Sequence, residues 1–218
     1  AKAEMFKIKR RAATRLREKN ANVINVTGGE ALLTHLTSIL DNASPTDSFA
    51  VLLCALAAVS GRRSGELLNG KSTFEPVANK PTSTLFTGQL KTKSESPRPF
   101  VIPLCCNFTT FERGLEALRA IQTRDGGVAQ LTNAEVTDKY RWVSVRAIPA
   151  LAQLPNIKTL RSLYIMFVFD NLYACPWSFN ETACVCLGHR ELTESLHYAG
   201  VKIRDCENIK YKFGKLEL

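Results

Sequence analysis

The stretch LGHRELTESLHYAG, residues 187–200, starts at the end of an apolar helical run and closes on a glycine. His189 lies just inside one end of it and Tyr198 just inside the other, nine residues later. The pattern predicts that Asn180 caps a helix over 181–187 and that Gly188 stops it. A last short helix is then expected over about 191–199, stopping at Gly200. Alone, a tyrosine near a helix end is a packing residue, and His189 or His197 a surface histidine. The rest of the chain decides whether this stretch carries more.

Working outward, the sequence reads as mostly helical with one small sheet. Thr27-Gly28-Gly29 is a break, and residues 30–40 form an amphipathic helix with Leu32, Leu33, Leu36 and Leu40 on one side. A loop over 42–47 leads to Asp47 as N-cap of an apolar helix over 48–59, which Gly61 interrupts. Residues 63–68 begin another turn or helix. Residues 84–87 and 99–102 read as strands, with the polar run GQLKTKSESPR between them as a hairpin tip. Helices resume at Thr110, with Phe111, Leu115, Leu118 and Ile121 on one face, and Asp125-Gly126-Gly127 ends that segment. Thr132 with Glu135 gives a capping-box signal. Pro149 and Pro155 bracket a kinked region, a strong helix is expected over 157–173, and Pro176-Trp177 makes a turn. The expected class is mainly α with a small antiparallel β-sheet.

Three further segments carry polar residues that packing does not require. In SGRRSGELL, residues 60–68, Arg63 precedes Glu66 by three, so the carboxylate can hold the guanidinium. A planar guanidinium fork held in place suits a phosphate, although such a pair is more often a plain surface ion pair. In FTGQLKTK, residues 86–93, Lys91 sits at the hairpin tip, either solvated or able to enter a DNA groove. In KTLRSLY, residues 158–164, Lys158 and Arg161 share a face at the start of an apolar helix. Two cations there oppose the helix dipole, which favours an anion between them.

Composition bounds the rest. The chain of 218 residues has 29 Lys and Arg against 20 acidic residues, for a net charge of +9. Residues 1–20 hold eight basic and two acidic residues, so six of those surplus charges lie at one end. A basic, helix-compatible leader fits a segment lying on nucleic acid, a solvated helix or an unstructured arm. The seven cysteines are scattered; the close pairs Cys105-Cys106 and Cys184-Val-Cys186 lack zinc-site spacing, so reduced thiols and no metal are expected. The longest apolar runs fall short of a membrane span, and residues 1–20 lack the apolar core of a signal peptide. An intracellular protein is expected. The layout divides into a basic linker or arm helix over 1–20, a main domain over 21–200 and a tail over 201–218.

In order and spacing, the four segments resemble the tyrosine recombinase and integrase family over most of the chain. Gly-Arg-Arg-Ser-Gly-Glu-Leu is similar to the family's first arginine motif, which points to Arg63 rather than Arg62. Gln89-Leu-Lys91-Thr, followed by a strand ending in Val-Ile-Pro103, is similar to its hairpin lysine. Leu-Arg161-Ser-Leu resembles its second arginine motif, and Leu-Gly-His189 with Tyr198 nine residues on resembles its most specific signature. The position three before the second arginine is usually His in integrases and is Lys158 here. That lysine, Phe-Glu-Pro at 74–76, Phe-Thr-Gly-Gln-Leu-Lys-Thr and Ser-Leu-His-Tyr198 are similar to the telomere resolvases, or protelomerases, which cut a palindromic duplex and seal each end as a hairpin.

The resemblance implies the tyrosine recombinase catalytic-domain fold and a site of Arg63, Lys91, Lys158, Arg161, His189 and Tyr198. Tyr198 would form a 3′-phosphotyrosyl bond, expelling a 5′-hydroxyl and keeping the phosphodiester energy, so no cofactor is implied. Arg63 and Arg161 would clamp the non-bridging oxygens, Lys91 would protonate the leaving oxygen, and His189 and Lys158 would hold the phosphate or position Tyr198. The implied partner is double-stranded DNA, palindromic for a resolvase, bound by a homodimer. The alternatives are an integrase exchanging strands through a Holliday junction, a type IB topoisomerase, and an inactive DNA-binding module with the same fold.

Overall fold

A helix without a single charged residue has no side to offer to water, and FAVLLCALAAVS is such a helix. A computed structural model of the chain describes residues 23–90, 98–124, 139–140, 142–189, 198 and 200–217. In it, this segment forms α2, Phe49–Ser60, buried at every position but Val51. Two helices with one apolar face each cover it. The first is α1, Gly29–Asp41, through Leu32, Leu33, Leu36 and Leu40. The second is α4, Phe108–Arg124, through Phe111, Leu115, Leu118 and Ile121. A third, α5 at Leu160–Met166, is buried throughout and packs on α2 from another side. Ser48 is the N-cap of α2, not Asp47, whose carboxylate instead accepts the Ser44 N–H within the preceding loop at 2.8 Å.

The expected antiparallel sheet is present and has one strand more than the sequence patterns suggested. Strand β2, Thr73–Val77, pairs with β3, Lys80–Thr87, which pairs with β4, Phe100–Pro103. Pro76 breaks the regular pairing of β2, and the strand is largely exposed, so no clean alternation marks it. Phe74, Phe86 and Phe100 face one another across the three strands, at 4.9 and 5.7 Å between ring centres, and Phe74 meets Phe111 of α4 at 5.1 Å.

A second, parallel pair was not expected. Strand β1, Ile24–Val26, lies beside β5, Val201–Ile203. The residues beyond β5 continue along the body of the domain. Leu216 is buried, and Ala174 bridges to Lys215. The segment expected as a tail is thus built into the same core as the elements before it.

The predicted helix over 157–173 is one continuous run with three pitches. A 3-10 turn at Ile157–Thr159 leads into α5, and a π turn at Phe167–Leu172 ends it. The wide last turn is satisfied locally: the Asn171 amide donates to Met166 O at 3.0 Å and Tyr173 N–H to Val168 O at 3.3 Å. Then comes α6, Phe179–Leu187, capped by Ser178 rather than Asn180. Ser178 and Glu181 form the reciprocal capping box, and Gly188, at φ 67°, stops the helix as predicted. The basic arm at 1–20, the hairpin tip at 91–97, the Thr132–Glu135 capping signal and the helix expected over 191–199, Tyr198 apart, lie outside the described residues. No helix among the described residues is long and apolar enough to cross a membrane.

Gly61 joins this core to the site. Its φ is 65°, and a Cβ there would stand 2.3 Å from the ring of Tyr164, which is fully buried in α5. Gly61→Ala should therefore destabilise the fold by about 2–3 kcal/mol, combining left-handed backbone strain with overpacking. The midpoint of urea unfolding measures this; an unchanged midpoint would mean that the Tyr164 ring yields freely.

Candidate active site

Immediately after Gly61 the chain presents two arginines that point to different environments. Arg62 turns inward and is 1% exposed. Its guanidinium donates to Cys186 O at 2.7 Å and lies over the rings of Phe86 and Phe100 at 5.0 and 5.6 Å. Its Nη1 has no hydrogen-bond partner, and Glu66 Oε2 is 3.9 Å away. Arg63 stays at the surface edge, as the N-cap of the short helix α3, Ser64–Leu68. Its Nη1 donates to Glu66 Oε1 at 2.7 Å and to Leu90 O at 3.1 Å. Of the two, Arg63, the one that the motif resemblance pointed to, is the more exposed.

Glu66 is fully buried and joins the arginines. Its Oε2 accepts the Arg63 N–H at 3.0 Å and lies 4.0 Å from Arg161 Nη1, while Oε1 also accepts the Leu90 N–H at 3.2 Å. Burial alone would raise this carboxyl, but Arg62, Arg63 and Arg161, with the Arg63 N–H, hold it below the ordinary carboxylate range. The sequence reading paired Glu66 with Arg63 alone. The four-residue step from Arg62 to Glu66 was the available signal for a wider role.

Arg161, 5% exposed, reaches from α5 across to Tyr198. Its Nη1 donates to Gly61 O at 2.8 Å, its Nε to Tyr198 Oη at 3.4 Å, and its Nη2 lies 3.5 Å from His189 Nε2. His189 Nε2 is in turn 3.2 Å from Tyr198 Oη. A guanidinium can only donate, so the His189 nitrogen facing Arg161 is the one with the lone pair, and the Tyr198 hydroxyl can donate to it. A phenol so placed can lose its proton to the imidazole while Arg161 stabilises the oxyanion. Burial, with the neighbouring Arg62 charge, pushes the Arg161 guanidinium down to about 10, which leaves it cationic at neutral pH. Three guanidiniums share one carboxylate here, so the cluster holds a surplus of positive charge. A bound anion would offset it.

The fold delivers Tyr198 by pinning the chain just after it: Gly200 O accepts the Ile24 N–H at 3.0 Å, where β5 begins along β1. Four of the six expected residues (Arg63, Arg161, His189 and Tyr198) are thereby connected, directly or through Glu66. Lys158 lies on the 3-10 turn ahead of α5, with its backbone N–H on Asn156 Oδ1 at 3.0 Å and its side chain exposed, apart from that cluster. Lys91 lies outside the described residues. Reading the sequence also missed Gln89, whose side chain reaches the turn that carries His189.

Residues 22–200 match the family described as the telomere resolvase ResT/TelK catalytic domain. Solved structures give the same direction. A mutant protelomerase TelA covalently complexed with substrate DNA superposes with a TM-score of 0.75 at 18% identity, covering 95% of this chain and 69% of that one. A second TelA mutant, complexed with DNA hairpin product, gives 0.75 at 19% identity over 95% and 69%. The protelomerase TelK complexed with substrate DNA gives 0.66 at 24% identity, over 94% of this chain and 42% of that one. At these identities the likeness speaks to the fold. No curated protein matches the chain.

Proposed function

Since the chain belongs to the telomere resolvase ResT/TelK catalytic-domain family, an enzyme family that breaks and rejoins DNA, we propose that Tyr198 is its nucleophile and hairpin DNA ends its product. The observation that carries the assignment is the phenol of Tyr198 held by Arg161 and His189 beside a net-positive cluster of three arginines and Glu66. Tyr198 Oη attacks the scissile phosphorus and becomes joined to the 3′-phosphate as the bond to the 5′-oxygen breaks. His189 accepts the phenolic proton. Arg161 and Arg63 donate to the non-bridging oxygens, where negative charge builds in the transition state, and Glu66 keeps both forks aimed. Lys91 supplies the proton to the departing 5′-oxygen, and the exposed Lys158 reaches the phosphate once DNA is bound. The freed 5′-hydroxyl of the same duplex half then attacks the phosphotyrosine, releasing Tyr198 and closing a hairpin.

A target cut symmetrically on both strands is a palindrome, and two copies of the chain related by a two-fold axis fit it. The test is the protein, in the longest form that expresses, incubated with palindromic DNA and analysed after heat denaturation. Strands that snap back to twice the half-site length are expected. Branched junctions or exchanged arms would replace hairpin closure with strand exchange, and relaxation of supercoils without sequence preference would indicate a topoisomerase.

A further inference from the structure

The last carbonyls of a helix have no partner within it, and at the end of α6 these are the carbonyls just ahead of His189. Gln89, two residues past the end of β3, meets them. Its Nε2 donates to Leu187 O at 3.2 Å and to Gly188 O at 2.6 Å. Both acceptors are carbonyls, so the amide must present its two N–H groups there. The fit is close on both sides: a Cβ at Gly188 would fall 2.6 Å from the Gln89 amide and 2.6 Å from the Phe100 ring.

Gln89 is itself held firmly. Gly88, at φ 95°, turns the chain beside Ser72, whose hydroxyl donates to Gly88 O at 3.2 Å. The next residue, Leu90, is gripped at its N–H by Glu66 and at its carbonyl by Arg63. The contacts therefore close a ring. It runs from Glu66 through Leu90 and Gln89 to the Gly188 turn and His189, then through Arg161 back to Glu66.

We propose that Gln89 is a positioning residue for His189, its amide fixing the Leu187 and Gly188 carbonyls so that the imidazole leaves α6 aimed at Tyr198 Oη. The inference rests on the reading of Tyr198 as nucleophile. Arg62 grips Cys186 O one residue earlier, which anchors the helix end, and among the described residues Gln89 is the side chain that holds the two carbonyls next to His189. Gln89 touches no reacting atom in this arrangement; its effect on rate passes through the direction of one side chain.

A helix-end staple of no catalytic consequence would lower stability without a particular link to His189, and a double-mutant cycle on rate separates the two. Single-turnover formation of the covalent adduct is followed on a nicked palindromic duplex at saturating protein. Gln89→Glu, which keeps the shape and loses the donors, and Gln89→Met, which is apolar and of similar length, are each made alone and with His189→Gln. Each single Gln89 change should slow adduct formation about 100-fold, the scale of a misplaced catalytic group, with DNA affinity unchanged. On the His189→Gln background, which is itself slow, the same changes should cost less than about threefold. An equal loss on both backgrounds, or a Gln89 variant that binds DNA and cleaves at the parental rate, overturns the proposal. Tyr198→Phe, run beside them, tests the underlying reading separately: an adduct that persists there removes the nucleophile assignment whatever Gln89 does.

Discussion

Tyr198→Phe should bind DNA as the parent does and leave no protein covalently joined to it. The change removes one oxygen and no packing, while the arginines and His189 that would hold the phosphate stay in place. Affinity for the DNA backbone, set mainly by cationic contacts, should persist. Loss of a nucleophile removes about four or more orders of magnitude of rate in enzymes whose catalytic groups act as a unit, so the adduct band on a denaturing gel should vanish with a nicked suicide substrate. Tyr164→Phe and Tyr211→Phe are the controls. Tyr164 is fully buried, its hydroxyl donates to Pro103 O at 2.8 Å, and burial raises its phenol well above the usual range. Tyr211 is 52% exposed and belongs to the segment beyond β5. An adduct that survives Tyr198→Phe and disappears with Tyr211→Phe would move the chemistry to the other tyrosine.

Glu66→Gln should be the most damaging single change to stability in the site. Removing one partner of a buried ion pair costs about 3–5 kcal/mol, because the partner charge is left without compensation. Here three guanidiniums lose their shared anion at once. The effect has a pH signature. The Glu66 carboxyl lies below its ordinary value in the folded state, so its contribution is fully present above the unfolded value of about 4.3 and is lost as pH falls through the lower folded value. Urea unfolding of parent and variant should therefore differ most near neutrality, with the gap closing in acid as the parent's own carboxyl takes up a proton. A gap of constant size down to about pH 3 would show that the charge of Glu66 is not what holds the arginines.

Helices were legible where one face repeats: Leu32, Leu33, Leu36 and Leu40 in α1, and Phe111, Leu115, Leu118 and Ile121 in α4, all lie against the core. The glycine punctuation was equally legible, since Gly61 and Gly188 both take the left-handed conformation that ends a helix. Strands β1 and β5 were not, because three residues each, paired across the whole sequence, carry no periodic signal. Caps were misplaced by one or two residues, at Ser48 and Ser178, where adjacent side chains of equal capping ability compete and only the backbone path selects between them. In the site, residue types and order pointed to Arg63, Arg161, His189 and Tyr198, and these are brought together. What sequence spacing could not show was the wiring between them: that Glu66 serves three arginines, and that Gln89 spans from the sheet to the end of α6. Those links join residues far apart along the chain, and neither glutamine nor glutamate announces its partner.

The pairing of β1 with β5 ties the position of Tyr198 to the body of its own chain. Because the strand that follows Tyr198 is paired with β1 of the same chain, the phenol meets that chain's own Arg161 and His189. On the proposed reading, each copy would bring its own Arg161, His189 and Tyr198 to its half of a symmetric target.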